Sequence, residues 1–319
     1  MELRHLRYFI VVIDSGSFSK AADHAHVVQS ALSQQIAALE AELEVKLLVR
    51  SAQGVAPTAA GRLFYQQAQH LLRQVEHAKT MVRECESEGR LTGPVSVGLP
   101  NSTAANLSLP LLEACLSRYP GIELHIMEGM SRQLHQALIN ANLDMAIQFS
   151  GQPEHGLKVR RLATEELFLI SSSGGRQGDR KHVTVPLANL LDMRLLLPQK
   201  GNGLRDLLDK VLADSGVVIK PLAELGSAAT LAEAAGKGIG ATVLPWGAFH
   251  REHADGKLRV DRIEHLPIKR DLLLCVSNSM PLTDAAQAVH ALVFEVVQDL
   301  VKREIWKEVE SYPMTDPTQ

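Results

Sequence analysis

Cysteine is scarce in this chain of 319 residues. The three present, Cys85, Cys115 and Cys275, are scattered and odd in number, without CxxC or Cys/His spacing. That pattern excludes a disulfide framework and a zinc site, and fits reduced thiols. Excess charge of either sign is also missing. The formal net charge of −3 argues by itself for neither a nucleic-acid nor a membrane partner. Near the start the apolar run at 8–13 is only six residues long and has charges on both sides. It is too short for a membrane span and unlike a signal peptide. Catalytic signatures are lacking too. The 13 histidines form no HExxH or other metal-ligand pattern, and no GxSxG nucleophile turn occurs. GKGIG at 236–240 lacks the spacing of a phosphate-binding P-loop. No enzyme, metal or cofactor is expected, and the expected location is cytoplasmic.

What is present is the composition of a globular protein, 45% hydrophobic and 22% charged. Its length calls for two or three domains. Leu3, Leu6, Phe9, Ile10 and Ile13 recur at helical spacing until Gly16 stops the helix. The next stretch, GSFSKAADHAHVVQSALSQQIAALEAEL (16–43), favours helix except at the β-branched pair Val27 and Val28. It predicts a short helix over about 18–25 with Ser17 as N-cap. A turn follows, then a third helix from Gln29 that buries Leu32, Ile36, Leu39 and Leu43. Two short helices joined by a tight turn form a helix-turn-helix. SAQGVAPT at 51–58 carries Gly and Pro and reads as a hairpin-like wing.

Residues 58–88 predict one long helix. Ala68, Val75 and Val82 lie seven apart, as do Phe64, Leu71, Ala78 and Cys85, the alternation of a coiled-coil seam. The alternative is an amphipathic helix packed on its own domain. Gly89 and LTGP at 91–94 would end the helix as a hinge. Beyond it, strand-like runs at 95–99, 122–127, 145–149, 167–171, 195–197, 239–244 and 272–276 alternate with helical patterns. Those patterns lie at 107–118, 133–140, 204–213 and 231–235. The alternation predicts an α/β architecture with largely parallel sheets. Candidate crossovers at 161–165 and 268–271 would insert a middle lobe (164–269) into an outer one (94–163 and 270–319). A final helix over about 283–310 would close the chain.

LRYFIVVIDSGSFSKAADHAHVVQSALSQQIAALEAEL followed by LLVRSAQGVAPTAAG resembles the N-terminal signature of LysR-type transcriptional regulators. GPVSVGLP, YPGIELHIMEG, LDMAIQF, EELFLI and AAGKGIGATVLP extend the resemblance over essentially the whole chain. Within that family, LTGPVSVGLPNSTAANLSLPLL is most similar to the nitrogen assimilation control regulators. The resemblance implies an all-α winged helix-turn-helix over 1–58 and a dimerising linker helix with hinge over 59–93. It implies an effector domain over 94–319 with two lobes, built like a periplasmic solute-binding protein. The implied partners are a double-stranded DNA operator with an interrupted dyad and a small-molecule effector. A second copy of the chain, as homodimer or dimer of dimers, would join through Phe64, Ala68, Leu71 and Val75. RNA polymerase is a further candidate partner. A regulator of the nitrogen-control type would need no effector. A transporter's solute-binding protein would share the lobes, but it requires export and carries no helix-turn-helix.

One residue departs from the family pattern. Ser30 stands where Pro is usual at the start of the recognition helix. Pro suits a first helical turn because the donor it lacks would be orphaned there. Ser30 keeps that N–H and adds a hydroxyl for a phosphate or a local cap.

Phosphate neutralisation dominates DNA affinity, yet residues 1–60 are not basic. Arg4, Arg7, Lys20, Lys46 and Arg50 stand against Glu2, Asp14, Asp23, Glu40, Glu42 and Glu44, a net of −1. Placement outweighs the count. From Gln29 to Leu39 no side chain is charged, and Glu40, Glu42 and Glu44 cluster beyond the end that would meet a groove. The expected reading tip is Gln29, Ser30, Ser33, Gln34 and Gln35. Gln pairs with adenine N6 and N7, Ser with base or phosphate, and the helix N-terminus attracts phosphate. Arg50 is expected at a phosphate by the family resemblance, with Ser51 and Thr58 of the wing segment beside it.

The effector site is expected at strand ends that meet helix N-termini. These positions hold Asn101, Ser102 and Thr103, then Ser131, then Gln148. In the middle lobe they hold Asn202 of KGNGLR (200–205), Ser227 and Thr230. Small hydroxyls, amides and Gly-rich turns would cradle a polar or anionic metabolite; each alone reads first as an ordinary cap, and their repetition at equivalent strand ends of both lobes carries the site.

Overall fold

The computed structural model describes residues 1–51, 54–84, 91–150, 156–174, 184–264 and 268–314. The chain divides into two compact units, residues 1–89 and residues 90–319 apart from 140–142, which group with the first. Cys85 of the expected seam and Gly89 of the expected hinge lie outside the described residues. Among the described residues no helix is long and apolar enough to cross a membrane.

The first unit opens with α1 (Leu3–Ser15), α2 (Phe18–His24) and α3 (Gln29–Glu42). Helix α1 stops at Gly16, whose φ of 62° is a left-handed conformation that costs glycine nothing. Val27 and Val28 make the break before α3, with Val28 at its N-cap. An antiparallel wing follows, β1 (Leu48–Ser51) and β2 (Gly54–Pro57), and then α4 (Ala59–Glu84). Phe9, Val12, Phe18, Leu32, Ile36 and Leu39 centre the core. Phe64 of α4 meets Phe9 edge-on, 5.1 Å between ring centroids. Gly61 permits the close approach of α4 to the root of the wing, since a Cβ there would stand 2.0 Å from the Leu47 carbonyl oxygen.

Glu40, one of the three acids clustered at the far end of α3, is only 8% exposed. Its Oε1 accepts from the Leu47 and Leu48 N–H groups at 2.9 and 3.1 Å, and its Oε2 from Lys46 Nζ at 2.7 Å. Burial alone would raise this carboxyl, but Lys46 and the two backbone donors hold it below the usual glutamate range. The carboxylate therefore pins the wing to the end of α3.

The second unit begins with β3 (Gly93–Pro100), α5 (Asn101–Arg118), β4 (Ile122–Gly129), α6 (Ser131–Ile139) and β5 (Met145–Phe149). It continues through β6 (Leu157–Ser172), β7 (Thr184–Val185), β8 (Leu196–Pro198), α7 (Gly203–Asp214), β9 (Ala223–Leu225) and α8 (Ala228–Gly236). The rest is β10 (Thr242–Pro245), α9 (His250–Ala254), β11 (Leu258–Ile263), β12 (Lys269–Ser277), α10 (Asp284–Lys302) and β13 (Val309–Ser311). The result is the two-lobed α/β architecture expected.

The sheets are less parallel than expected. Strand β3 pairs in parallel with β4 and β5, and β8 with β9, as βαβ units require. Strand β12 runs antiparallel to β5 and β6, and β10, β11 and β13 run antiparallel to β6. The cause is the connectivity. Strand β6 carries the chain out of one lobe and β12 brings it back, so the two must run in opposite directions. Residues 157–166 of β6 lie beside β12, and residues 167–172 beside β10 and β11. The runs expected to cross between lobes thus face each other in one ladder, with Arg270 opposite Glu165.

Two helix boundaries move. Helix α5 begins at Asn101, not Leu107, so the polar residues after β3 form its first turn. Helix α10 ends at Lys302, short of the expected 310. The Ile305 and Trp306 N–H groups both close back onto the Leu300 carbonyl, at 3.0 and 3.1 Å. Glu304 turns left-handed (φ 55°), and Trp306 enters the core at 1% exposure.

Candidate functional site

In the first unit the polar tip of α3 lies at the surface. Val28, its N-cap, makes no side-chain capping bond, so the first-turn N–H groups suit an anion. Gln29, Ser30 and Gln34 are exposed. Ser19 Oγ donates to Gln29 Oε1 at 3.0 Å, which orients that amide from α2. Ser33 and Gln35 are half-buried and held within the domain. Arg50 Nη2 donates to Ser33 Oγ at 3.1 Å, and His5 Nε2 donates to Gln35 Oε1 at 2.8 Å. The Arg50 guanidinium also lies 4.2 Å over the Phe18 ring. The wing is thereby tied to both helices of the helix-turn-helix. Ser51 Oγ donates to the Gly54 carbonyl at 3.4 Å. Thr58 Oγ1 donates to the Lys46 carbonyl at 2.8 Å and accepts from the Gly61 N–H at 2.9 Å, capping α4. Of the eight residues expected at DNA, Gln29, Ser30, Gln34, Arg50 and Ser51 are exposed, the last two on the wing. Ser33, Gln35 and Thr58 are half-buried and shape the domain that carries them.

On α4 the expected seam divides. Phe64 is half-buried against Phe9 and Ala68 is fully buried, so both are occupied within their own chain. Val75 is half-buried. Leu71, Met81 and Val82 remain 38%, 37% and 69% exposed. With Leu63 at 62%, these are the large apolar side chains that α4 leaves open among the described residues.

The second unit contains a cavity of about 60 Å³. Its walls include Asn101 and Ser102 at the start of α5, Ser131 at the start of α6, Asn202 and Gly203 at the start of α7, and Ala228 of α8. Four helix N-terminal turns thus converge, each bringing partial positive charge and N–H groups without intrahelical partners. Asn202 caps α7 by accepting from the Leu204 N–H at 3.0 Å.

The cavity also holds Arg270, which is not in the expected set; it is the one ionisable side chain in the lining among the described residues. Arg270 is 4% exposed. Its Nε donates to Glu165 Oε1 at 2.6 Å, its Nη2 to Ser102 Oγ at 3.0 Å, and its plane covers Phe149 at 3.5 Å. A buried cation needs such compensation, because an unpaired charge there costs several kcal/mol, roughly 3–5.

Four expected effector residues lie outside this lining. Thr103 is 1% exposed and its hydroxyl has no partner among the described residues. Gln148 is buried in β5, its amide 3.3–3.4 Å from His135 Nδ1. Ser227 and Thr230 are exposed, and the Ser227 hydroxyl caps α8 by accepting from the Thr230 N–H at 3.4 Å.

Comparison with known proteins accords with this geometry. A family model for the bacterial regulatory helix-turn-helix protein of the lysR family matches residues 3–62, and one for the LysR substrate binding domain matches residues 88–298. The nitrogen assimilation regulatory protein nac of Escherichia coli (strain K12) is 33% identical over 311 residues, which span 97% of this chain and 100% of that protein. The protein of the same name from Klebsiella aerogenes is 33% identical over 298 residues, covering 93% and 95% of the two chains. Among solved structures, a full-length OxyR variant from Pseudomonas aeruginosa matches with a TM-score of 0.70 at 24% identity, covering 93% of this chain and 95% of that one. Full-length CbnR complexed with its target DNA gives 0.68 at 22%, covering 94% and 100%. The last two show the shared fold. The helix-turn-helix, the two-lobed α/β unit and the matched family models together make this chain a LysR-type DNA-binding transcriptional regulator, a member of the lysR family.

Proposed function

We propose that the chain acts as a homodimer or dimer of dimers on an interrupted dyad operator, tuned by a small polar or anionic effector held in the Arg270 cavity. Two-fold pairing through α4 would present two α3 helices to half-sites an integral number of helical turns apart. The observation that carries the effector reading is the meeting of four helix N-termini with one buried arginine. Likeness to the two nitrogen assimilation proteins supports control of nitrogen-related genes.

A second reading has its own observation. Arg270 is already neutralised by Glu165 and bonded to Ser102, so the cavity's cation is satisfied without a ligand. In that reading no effector is needed and activity follows abundance. Thermal unfolding of the full chain against a panel of small carboxylates, phosphates and amides separates the two. A ligand that binds only the folded chain raises its melting temperature, and Ser102→Ala with Ser131→Ala should abolish that rise. If no compound shifts the melting temperature, and the double variant regulates its promoter as the native chain does, the effector-free reading stands.

A further inference from the structure

The segment after α10, expected as helix to residue 310, lies beyond the matched substrate-binding domain, which ends at residue 298. It returns to the place where β6 and β12 pass between lobes. Val309, Glu310 and Ser311 of β13 oppose Glu165, Thr164 and Ala163 of β6. The opposite edge of those same three residues is taken by Arg270, Asp271 and Leu272 of β12. The crossing is therefore three strands wide where the connectivity requires only two. Two-stranded ribbons twist more than wider sheets, so a third strand stiffens the passage.

The segment is also tied to each lobe. Toward the inserted lobe, Arg262 of β11 donates from Nη2 to Glu308 at 2.7 Å and from Nε to Glu166 at 3.0 Å. Lys307 Nζ stands 5.6 Å over the Trp246 ring. Toward the outer lobe, the Tyr312 N–H donates to the Leu162 carbonyl at 3.0 Å. Gln298 Nε2 donates to the Tyr312 carbonyl at 3.1 Å. At the crossing itself the Glu166 N–H donates to the Glu308 carbonyl at 3.2 Å, and the Tyr312 hydroxyl meets Thr164 Oγ1 at 3.1 Å. Trp306, buried in the core, anchors the near end. Surface ion pairs taken singly contribute little, but here they act together with a strand ladder and a buried indole.

We propose that residues 306–312 form a strap that clamps the β6–β12 crossing and fixes the angle between the two lobes. Any opening or closing of the Arg270 cavity then requires the strap to loosen, whether or not that cavity takes a ligand. Two versions of the full protein test this. One ends at Lys307 and so keeps the buried Trp306; the other carries Glu308→Ala with Tyr312→Ala. Hydrogen–deuterium exchange reads the crossing. Amides of residues 163–167 should exchange about tenfold faster or more in both variants, while those of β3 keep native protection. A distance measurement reads the angle. Spin labels on Leu116→Cys in the outer lobe and Val218→Cys in the inserted lobe, 56% and 87% exposed in the native chain, report it when labelled chains are diluted into unlabelled ones. Their distance distribution should broaden when the strap is cut. Should the shortened chain also lose β3 protection, the double variant decides alone. Native exchange at 163–167, or a distribution of native width, overturns the proposal.

Discussion

Replacing Glu40 by Ala removes the one acceptor shared by the Leu47 and Leu48 N–H groups at the start of the wing. Each buried donor left without a partner costs about 1–3 kcal/mol. Lys46 is 79% exposed, so its ion pair adds little. The total is about 2–6 kcal/mol, a large share of the roughly 5–15 kcal/mol that stabilises an ordinary domain. Calorimetry on the full chain should show the DNA-binding transition fall by about 10 °C or more, and operator affinity should fall with it as the wing detaches. Glu40→Gln keeps a side-chain oxygen for the two donors and loses only charge, so it should cost about 1 kcal/mol. The lowered carboxyl adds a pH signature. Its contribution is complete above 4.5, the value for an unfolded glutamate, and is lost as pH falls through the folded value. Glu40→Gln should lose less stability than the native chain across that acid window. An Ala variant melting within about 2 °C of native would refute the pinning role.

On α4, Leu71→Glu should yield monomers that keep their fold but no longer gain melting temperature with concentration, because Leu71 is 38% exposed in the single chain. Sedimentation showing intact dimers would move the interface elsewhere. Gln29→Ala and Gln34→Ala should each lose about 1–3 kcal/mol of discrimination at particular base pairs, whereas Arg50→Ala should weaken all sequences and flatten the salt dependence. Titrations on operator variants at two salt concentrations check both, and unchanged base preference in both Gln variants would remove α3 from base reading. Burial, with Arg160 nearby, pushes His290 down to about 4 from 6.5. The unfolded chain therefore takes up a proton first as pH falls, and stability present above 6.5 is lost toward 4. Urea denaturation should show about 2 kcal/mol lost from about pH 7 to about pH 5, and His290→Leu should remove that slope.

The helix-turn-helix was legible because periodicity and breakers act locally. Leu32, Ile36 and Leu39 can point only one way once Val28 starts the helix, and Gly16 admits no continuation. Charged residues hid the rest. Glu40, Glu42 and Glu44 look alike in sequence, yet only Glu40 comes within reach of the two donors at the wing's root. Strand β6 was legible only over 167–171, because Arg160, Arg161, Glu165 and Glu166 break the apolar pattern of its first half. Those charges are satisfied by partners far along the chain, Glu165 by Arg270 and Arg161 by Asp271. For the same reason the crossover at 268–271 gave no sign that Arg270 is buried in a site. Strap residues 306–312 carry a polar, helix-like composition, and the features that redirect them, the left-handed Glu304 and the buried Trp306, are tertiary.

The sharing of β6 between lobes also bears on how the chain is made. During synthesis β6 emerges long before β12, its ladder partner over 157–166, and the whole inserted lobe is translated between them. The nascent outer lobe holds β3, β4 and β5 but lacks the strand that closes its sheet, so it waits on the ribosome with an apolar edge uncovered. The inserted lobe, by contrast, needs only the far half of β6 together with β10 and β11, all of which precede β12. Folding should therefore run from the inside outwards, with the inserted lobe first and the outer lobe completed last. A truncation near residue 265 should leave a compact inserted lobe attached to an aggregation-prone outer one.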